Sequence, residues 1–103
     1  MNTIIVTRHP GAVAWLRSKG FEGEVREHLD PKALTGPHRL VGVFPLLMIE
    51  ELLGAGHEVL LLSLPALGRD SRGTEITPEK MDAAGAEIRR VLAVKTERIS
   101  SVF

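Results

Sequence analysis

The sequence contains no cysteine, which excludes disulfides and thiolate metal sites and fits, without requiring, a reducing compartment. It carries no net charge either, since 13 basic residues balance 13 acidic ones. Broad attraction to duplex DNA or to an anionic membrane surface is therefore not expected, and any anion must be gripped locally. No apolar run approaches the roughly 18 residues of a membrane span, and the N-terminus lacks the basic, then long apolar, pattern of a signal peptide. The expectation is a soluble cytoplasmic protein with neither a membrane nor DNA as partner. Glycine-rich nucleotide signatures are missing as well: there is no GxGxxG and no GxxxxGK followed by Ser or Thr, which argues against NAD and against ATP hydrolysis of the P-loop kind. A GxSxG nucleophile is absent. Glu27, His28 and Asp30 are metal-ligand types, but no HxxxH or HExxH spacing and no second cluster completes a site, so neither a metal nor a cofactor is expected.

What is present suits one small domain over residues 1–103. A chain of this size buries roughly two thirds of its unfolded surface, enough for one core but not for a deep cleft within a single subunit. A sizeable ligand would favour a site shared between two copies.

Hydrophobic patterning predicts alternating strands and helices. An apolar, β-branched run over 3–7 reads as a strand buried on both faces, and a helix follows over 11–19. An alternating strand over 24–29 suits an edge, and a loop with two prolines and a glycine spans 30–38. A buried strand over 39–44 leads into a helix over 45–55, with Pro45 expected in its first turn. The run over 58–64 predicts a central strand. A charged loop over 65–76 precedes a helix capped by Thr77, with Pro78 at its first position. Met81, Ala84, Gly85 and Ile88 mark the buried side of that helix, which is expected to reach about Arg90. The tail over 91–103 is open to a last strand at an edge or across a dimer. The expected fold is α/β, a small Rossmann-like three-layer sandwich with a mainly parallel sheet.

In such a sheet, ligands bind outside the carboxyl ends of the strands. The first strand ends in Thr7-Arg8-His9-Pro10-Gly11, which combines a hydroxyl, a guanidinium, an imidazole and a glycine that lets backbone approach a phosphate. The second ends in Glu27, His28 and Asp30, the third in Phe44 and Pro45, and the fourth in Ser63, followed by Arg69 and Arg72. Free N–H groups at the start of the second helix favour an anion on the same rim. Structural readings stand beside these: Arg8 paired with Glu27, His28 bonded to Asp30, His9 starting a helix, Ser63 closing a turn. His38 and His57, on the opposite rim, read as surface residues.

The motifs Val6-Thr7-Arg8-His9-Pro10-Gly11-Ala12, Glu27-His28-Leu29-Asp30, Gly-x-Phe-Pro at Gly42 to Pro45, Leu62-Ser63-Leu64 and Arg72-Gly73-x-Glu75-Ile76-Thr77 resemble the small type III CRISPR-associated proteins of the Csx-sixteen family. The resemblance covers most of 3–90. It implies a fold related to the sensor domains that recognise cyclic oligoadenylate, working as a homodimer with the ligand at the interface. It further implies a ring nuclease that linearises cyclic tetra-adenylate and switches the type III response off. No metal is then required, because the ribose 2′-hydroxyl attacks the adjacent phosphorus and leaves a 2′,3′-cyclic phosphate. Under that reading Arg8 and Arg72 supply charge, backbone N–H groups near Gly11 and over 45–47 cradle phosphate, His9 transfers a proton, and Thr7 and Ser63 orient oxygens. A module that sequesters the ring without cutting it, and a structural α/β protein whose rim only caps helices, are the other two readings.

Overall fold

The computed structural model describes residues 1–63 and 77–101. The β-branched run at the start forms β1 (Asn2–Val6), and the helical spacing after it forms α1 (Pro10–Ser18). There follow β2 (Glu24–Arg26), a single 3-10 turn (Pro31–Ala33), β3 (His38–Gly42), α2 (Leu46–Gly54), β4 (Glu58–Ser63), α3 (Pro78–Ala83) and β5 (Glu87–Arg90). The five strands form one sheet in the order β2-β1-β3-β4-β5. β1 pairs in parallel with both β2 and β3, β3 in parallel with β4, and β5 runs antiparallel to β4. The fold is a small Rossmann-like α/β sandwich.

Period-two alternation divides the core between the two faces of the sheet. Ile4, Val6, Leu40 and Val59 point to the α2 side, where they meet Phe44, Ile49 and Leu52. Ile5, Val41, Leu60 and Leu62 point the other way, against Ala12, Trp15 and Leu16 of α1 and Met81 of α3. The Trp15 indole N–H donates to Asp82 Oδ1 at 2.8 Å, and Lys19 Nζ lies 3.0 Å from the same oxygen. These two partners, the indole first, hold the Asp82 carboxyl below its ordinary range and tie α1 to α3. At the amino end of the sheet Glu58 sits between Arg39 at 3.3 Å and Arg90 at 3.1 Å. Burial opposes ionisation there, but the two guanidiniums outweigh it and the carboxyl lies below its usual value.

Three expectations change. The third helix stops at Ala83 because Gly85 adopts φ +83° and the Ala86 N–H donates to Met81 O at 3.0 Å. That left-handed turn reverses the chain into β5, so Ile88 faces the α1 layer from a strand rather than from a helix. The tail makes no strand among the described residues: Val91 and Val94 pack beneath α2, and Thr96 donates its N–H to Glu50 Oε2 at 2.6 Å. Finally, His57 is not a surface residue. It is buried, and its Nδ1 accepts the His38 N–H at 3.0 Å. Boundaries shift as well: Pro45 caps α2 instead of entering its first turn, and β2 ends at Arg26 rather than at 29. The expected loop over 65–76, with Arg69 and Arg72, lies outside the described residues.

The chain reverses direction across the sheet between β1 and β3, since β2 lies to one side of β1 and everything after it to the other. Gly42 makes this junction possible. Its φ is +151°, and a Cβ there would stand 1.9 Å from Val6 O. Only glycine lets β3 approach β1 so closely where the two strands end.

Two predictions follow from these contacts. Gly42→Ala should destabilise the protein by about 2–4 kcal/mol in urea unfolding, because the methyl must force β1 and β3 apart; a change below about 0.5 kcal/mol would show that the junction relaxes freely. Burial, with the His38 ring 5.6 Å away, depresses the His57 pKa from 6.5. The unfolded chain therefore takes up this proton first as pH falls, so the contribution of His57 to stability is complete above about pH 6.5 and is lost below it. The melting temperature should drop between about pH 7 and 5.5, and His57→Asn should flatten that slope.

Candidate functional site

The end of β1 is held from both sides. The Thr7 N–H donates to Arg26 O at 3.1 Å, and the Val43 N–H donates to Val6 O at 3.4 Å. Thr7 is buried, and its Oγ1 accepts the His9 N–H at 3.1 Å. This local bond turns the chain out of the strand. His9 becomes the N-cap of α1, Pro10 takes the first helical position, where its missing N–H costs nothing, and Gly11 follows.

At the junction of β1 and β3 a cleft of about 240 Å³ is lined by Val6, Thr7, Arg8, His9, Glu27 and Val43. This is the switch point of the sheet, where open α/β folds bind ligands. Arg8 and His9 are both exposed. Arg8 Nη2 lies 3.4 Å from His28 Nδ1 and 3.3 Å from its Nε2. Near-equal distances set the guanidinium against the ring rather than on one lone pair, so most of its five donors stay available to a ligand. The expected alternatives do not form: among the described residues Glu27 joins no ion pair with Arg8, and the Asp30 carboxylate accepts the Lys32 N–H at 3.0 Å instead of bonding to His28.

Two helices begin beside this cleft, and neither has a side-chain cap or an acidic residue in its first turn. Their first N–H groups have no partner within the helix, and the positive ends of both dipoles face the rim. α3, whose first turn lies outside this cleft, is built the opposite way, with Thr77 Oγ1 accepting the Lys80 N–H at 3.2 Å and Glu79 in the first turn. The rim over β1 and β3 thus offers helix-end N–H donors and Arg8, with Glu27 as the opposing charge in the cleft.

The expected site residues separate into three groups. Thr7, Arg8 and His9 line the cleft, with Pro10 and Gly11 starting α1 next to it and His28 against Arg8. Phe44 has its side chain in the core, Pro45 caps α2 at the rim, and Ser63 ends β4 one strand beyond β3; none of the three lines the cleft. Arg69 and Arg72 lie outside the described residues. Val43 lines the cleft unexpectedly. It extends the apolar run of β3 and so reads as core, yet the ladder stops at Gly42 and leaves it 58% exposed. Leu46 and Leu47 continue this exposed apolar strip along the first turn of α2.

A larger groove of about 460 Å³ lies towards the amino ends of the strands, lined by Met1, Asn2, Thr3, Glu24, Arg26 and His38 among others. Its Arg26 is already paired with Glu24 at 2.9 Å, and no helix of the described residues begins over it. Size favours that groove, but the unpaired donors favour the smaller cleft. No group of three His, Asp or Glu among the described residues could hold a metal ion, and no helix among them is long and apolar enough to cross a membrane.

A family model described as "Putative CRISPR-associated protein (Cas_VVA1548)" matches residues 4–94, from β1 to just past β5, and so takes in the whole cleft. No curated protein and no solved structure matches the chain. With nearly its full length covered by that model, the chain belongs to the Cas_VVA1548 family of CRISPR-associated proteins.

Proposed function

We propose that the protein is a ring nuclease of type III CRISPR defence, cutting cyclic tetra-adenylate in the cytoplasm by attack of a ribose 2′-hydroxyl on the adjacent phosphorus. One observation carries this reading: at the switch point a cation with free donors, a hydroxyl and an imidazole line a cleft beside the starts of two helices that carry no side-chain cap among the described residues. Such an arrangement suits a phosphodiester. Membership of a CRISPR-associated family agrees with a ligand of that signalling system.

Each residue has a task in the reaction. Arg8 and the N–H groups opening α1 and α2 stabilise charge on the phosphoryl oxygens. Thr7, whose hydroxyl accepts the His9 N–H, fixes the backbone from which the imidazole projects. The 2′-hydroxyl loses its proton to water as the O2′–P bond forms, the P–O5′ bond breaks, His9 gives a proton to the departing 5′-oxygen, and the products carry 2′,3′-cyclic phosphate and 5′-hydroxyl ends. RNA supplies its own nucleophile, and alignment of the 2′-oxygen alone is worth about 7–11 kcal/mol in well-oriented cases. A cleft of about 240 Å³ is too small for a cyclic tetranucleotide, so the ring lies between two copies, and the exposed Val43, Leu46 and Leu47 supply apolar surface for that contact.

A second reading, a module that sequesters the ring uncut, is favoured by a specific feature: among the described residues the His9 imidazole has no hydrogen-bond partner to orient it. The two readings separate in one assay. Labelled cyclic tetra-adenylate incubated with the protein in excess chelator should yield linear products with cyclic phosphate ends. Arg8→Ala and His9→Ala should each slow single-turnover cleavage at least ~10-fold. Retention of an intact ring would select the sequestering module, and no retention would reject both.

A further inference from the structure

Glu27 is the one carboxylate lining the cleft, and among the described residues it has no ion-pair or hydrogen-bond partner. It faces the same space as Arg8 and the opening of α1. If the cleft served only to hold phosphate, this residue would work against it, since a carboxylate repels an anion at short range. A carboxylate accepts hydrogen bonds and donates none. Glu27 is exposed, so water solvates it in the free protein; where a phosphodiester fills the cleft and displaces that water, the partner that suits the carboxylate is a donor carried by the ligand close to the phosphate.

The dimensions restrict which donor. About 240 Å³ falls below the roughly 300 Å³ of pockets that enclose a whole small molecule, so the cleft suits a ribose phosphate better than a whole nucleotide. Within that unit the 2′-hydroxyl is the donor next to the phosphate, whereas the amine of adenine lies at the far end of the nucleoside. Glu27 follows β2 directly, and β2 is registered against β1 through Val6 and Arg26. Acceptor and cation therefore follow adjacent strands and line the same cleft.

Resting on the nuclease reading above, we infer that Glu27 is a specificity residue: its carboxylate accepts the hydrogen bond of the ribose 2′-hydroxyl while Arg8 holds the neighbouring phosphate. The pair reads a ribose phosphate as a unit and rejects the deoxyribose equivalent. The same bond points the 2′-oxygen, the nucleophile of the proposed reaction, into the cleft.

The test compares the full-length chain with Glu27→Ala, using cyclic tetra-adenylate and its 2′-deoxy counterpart as probes. Retention is read at times shorter than cleavage, and cleavage is followed in the same samples. The wild-type protein should bind the ribose ring at least ~10-fold more tightly than the deoxyribose ring, as expected for a charge-assisted hydrogen bond. Glu27→Ala should lose most of that preference by weakening only the ribose ring, and Glu27→Gln, which keeps an acceptor, should restore part of it. Equal losses for both rings, or tighter binding of both, would overturn the inference and leave Glu27 as a structural or merely repulsive group. Failure of the wild-type protein to retain either ring would instead remove the nuclease reading on which the inference rests.

Discussion

The approach of Gly42 to Val6 is the contact on which the rest of the molecule depends. Without a side chain at that position, β3 closes against β1 where both strands end, and the Val43 N–H reaches Val6 O. Two consequences follow at once. The sheet becomes continuous across its switch point, so Ile4 and Leu40 on one face and Ile5 and Val41 on the other share layers of the core. The two helices that follow β1 and β3 pack on opposite faces of the sheet, and each starts just beyond this junction without a side-chain cap among the described residues.

Several charges of this neutral chain are paired away from the switch point. Much of the formal charge is used structurally: Glu58 joins Arg39 and Arg90 across three strands, Lys19 and Asp82 join two helices, and Arg26 is neutralised by Glu24. At the switch point one arginine beside an imidazole, one carboxylate, Glu27, unpaired among the described residues, and a set of backbone dipoles remain. Backbone donors are fixed by the fold and need little reorganisation when charge develops, which is what stabilising a phosphoryl transition state requires.

Much of the fold was legible in the sequence because strong local signals agreed with the tertiary answer. The β-branched run before Thr7, the Thr77-Pro78 start and the continuous apolar run of β4 each appear where the patterning predicts. Misreadings arose where one pattern serves two structures. Met81, Ala84 and Ile88 fit a helical stripe, and only the positive φ of Gly85 turns the last of them into a strand residue. His57 looks like a polar residue in a turn, and its burial depends on an N–H of β3 that lies 19 positions earlier. The site was legible in part for the same reason. Thr7, Arg8 and His9 are consecutive and needed no long-range information. The exposure of Val43, the withdrawal of Phe44 into the core and the isolation of Glu27 depend on where ladders stop and which strands are neighbours, and periodicity does not encode either.

In the proposed complex a phosphodiester lies on the N-termini of α1 and α2. An amide-resolved NMR titration of the chain with cyclic tetra-adenylate, recorded cold to outlast cleavage, addresses it residue by residue. The largest amide shifts should fall at Gly11 and Ala12 and at Leu46, Leu47 and Met48, saturating together. Shifts confined to the amino-end groove around Asn2, Thr3 and Glu24, or no saturable shift at either helix start, would contradict it.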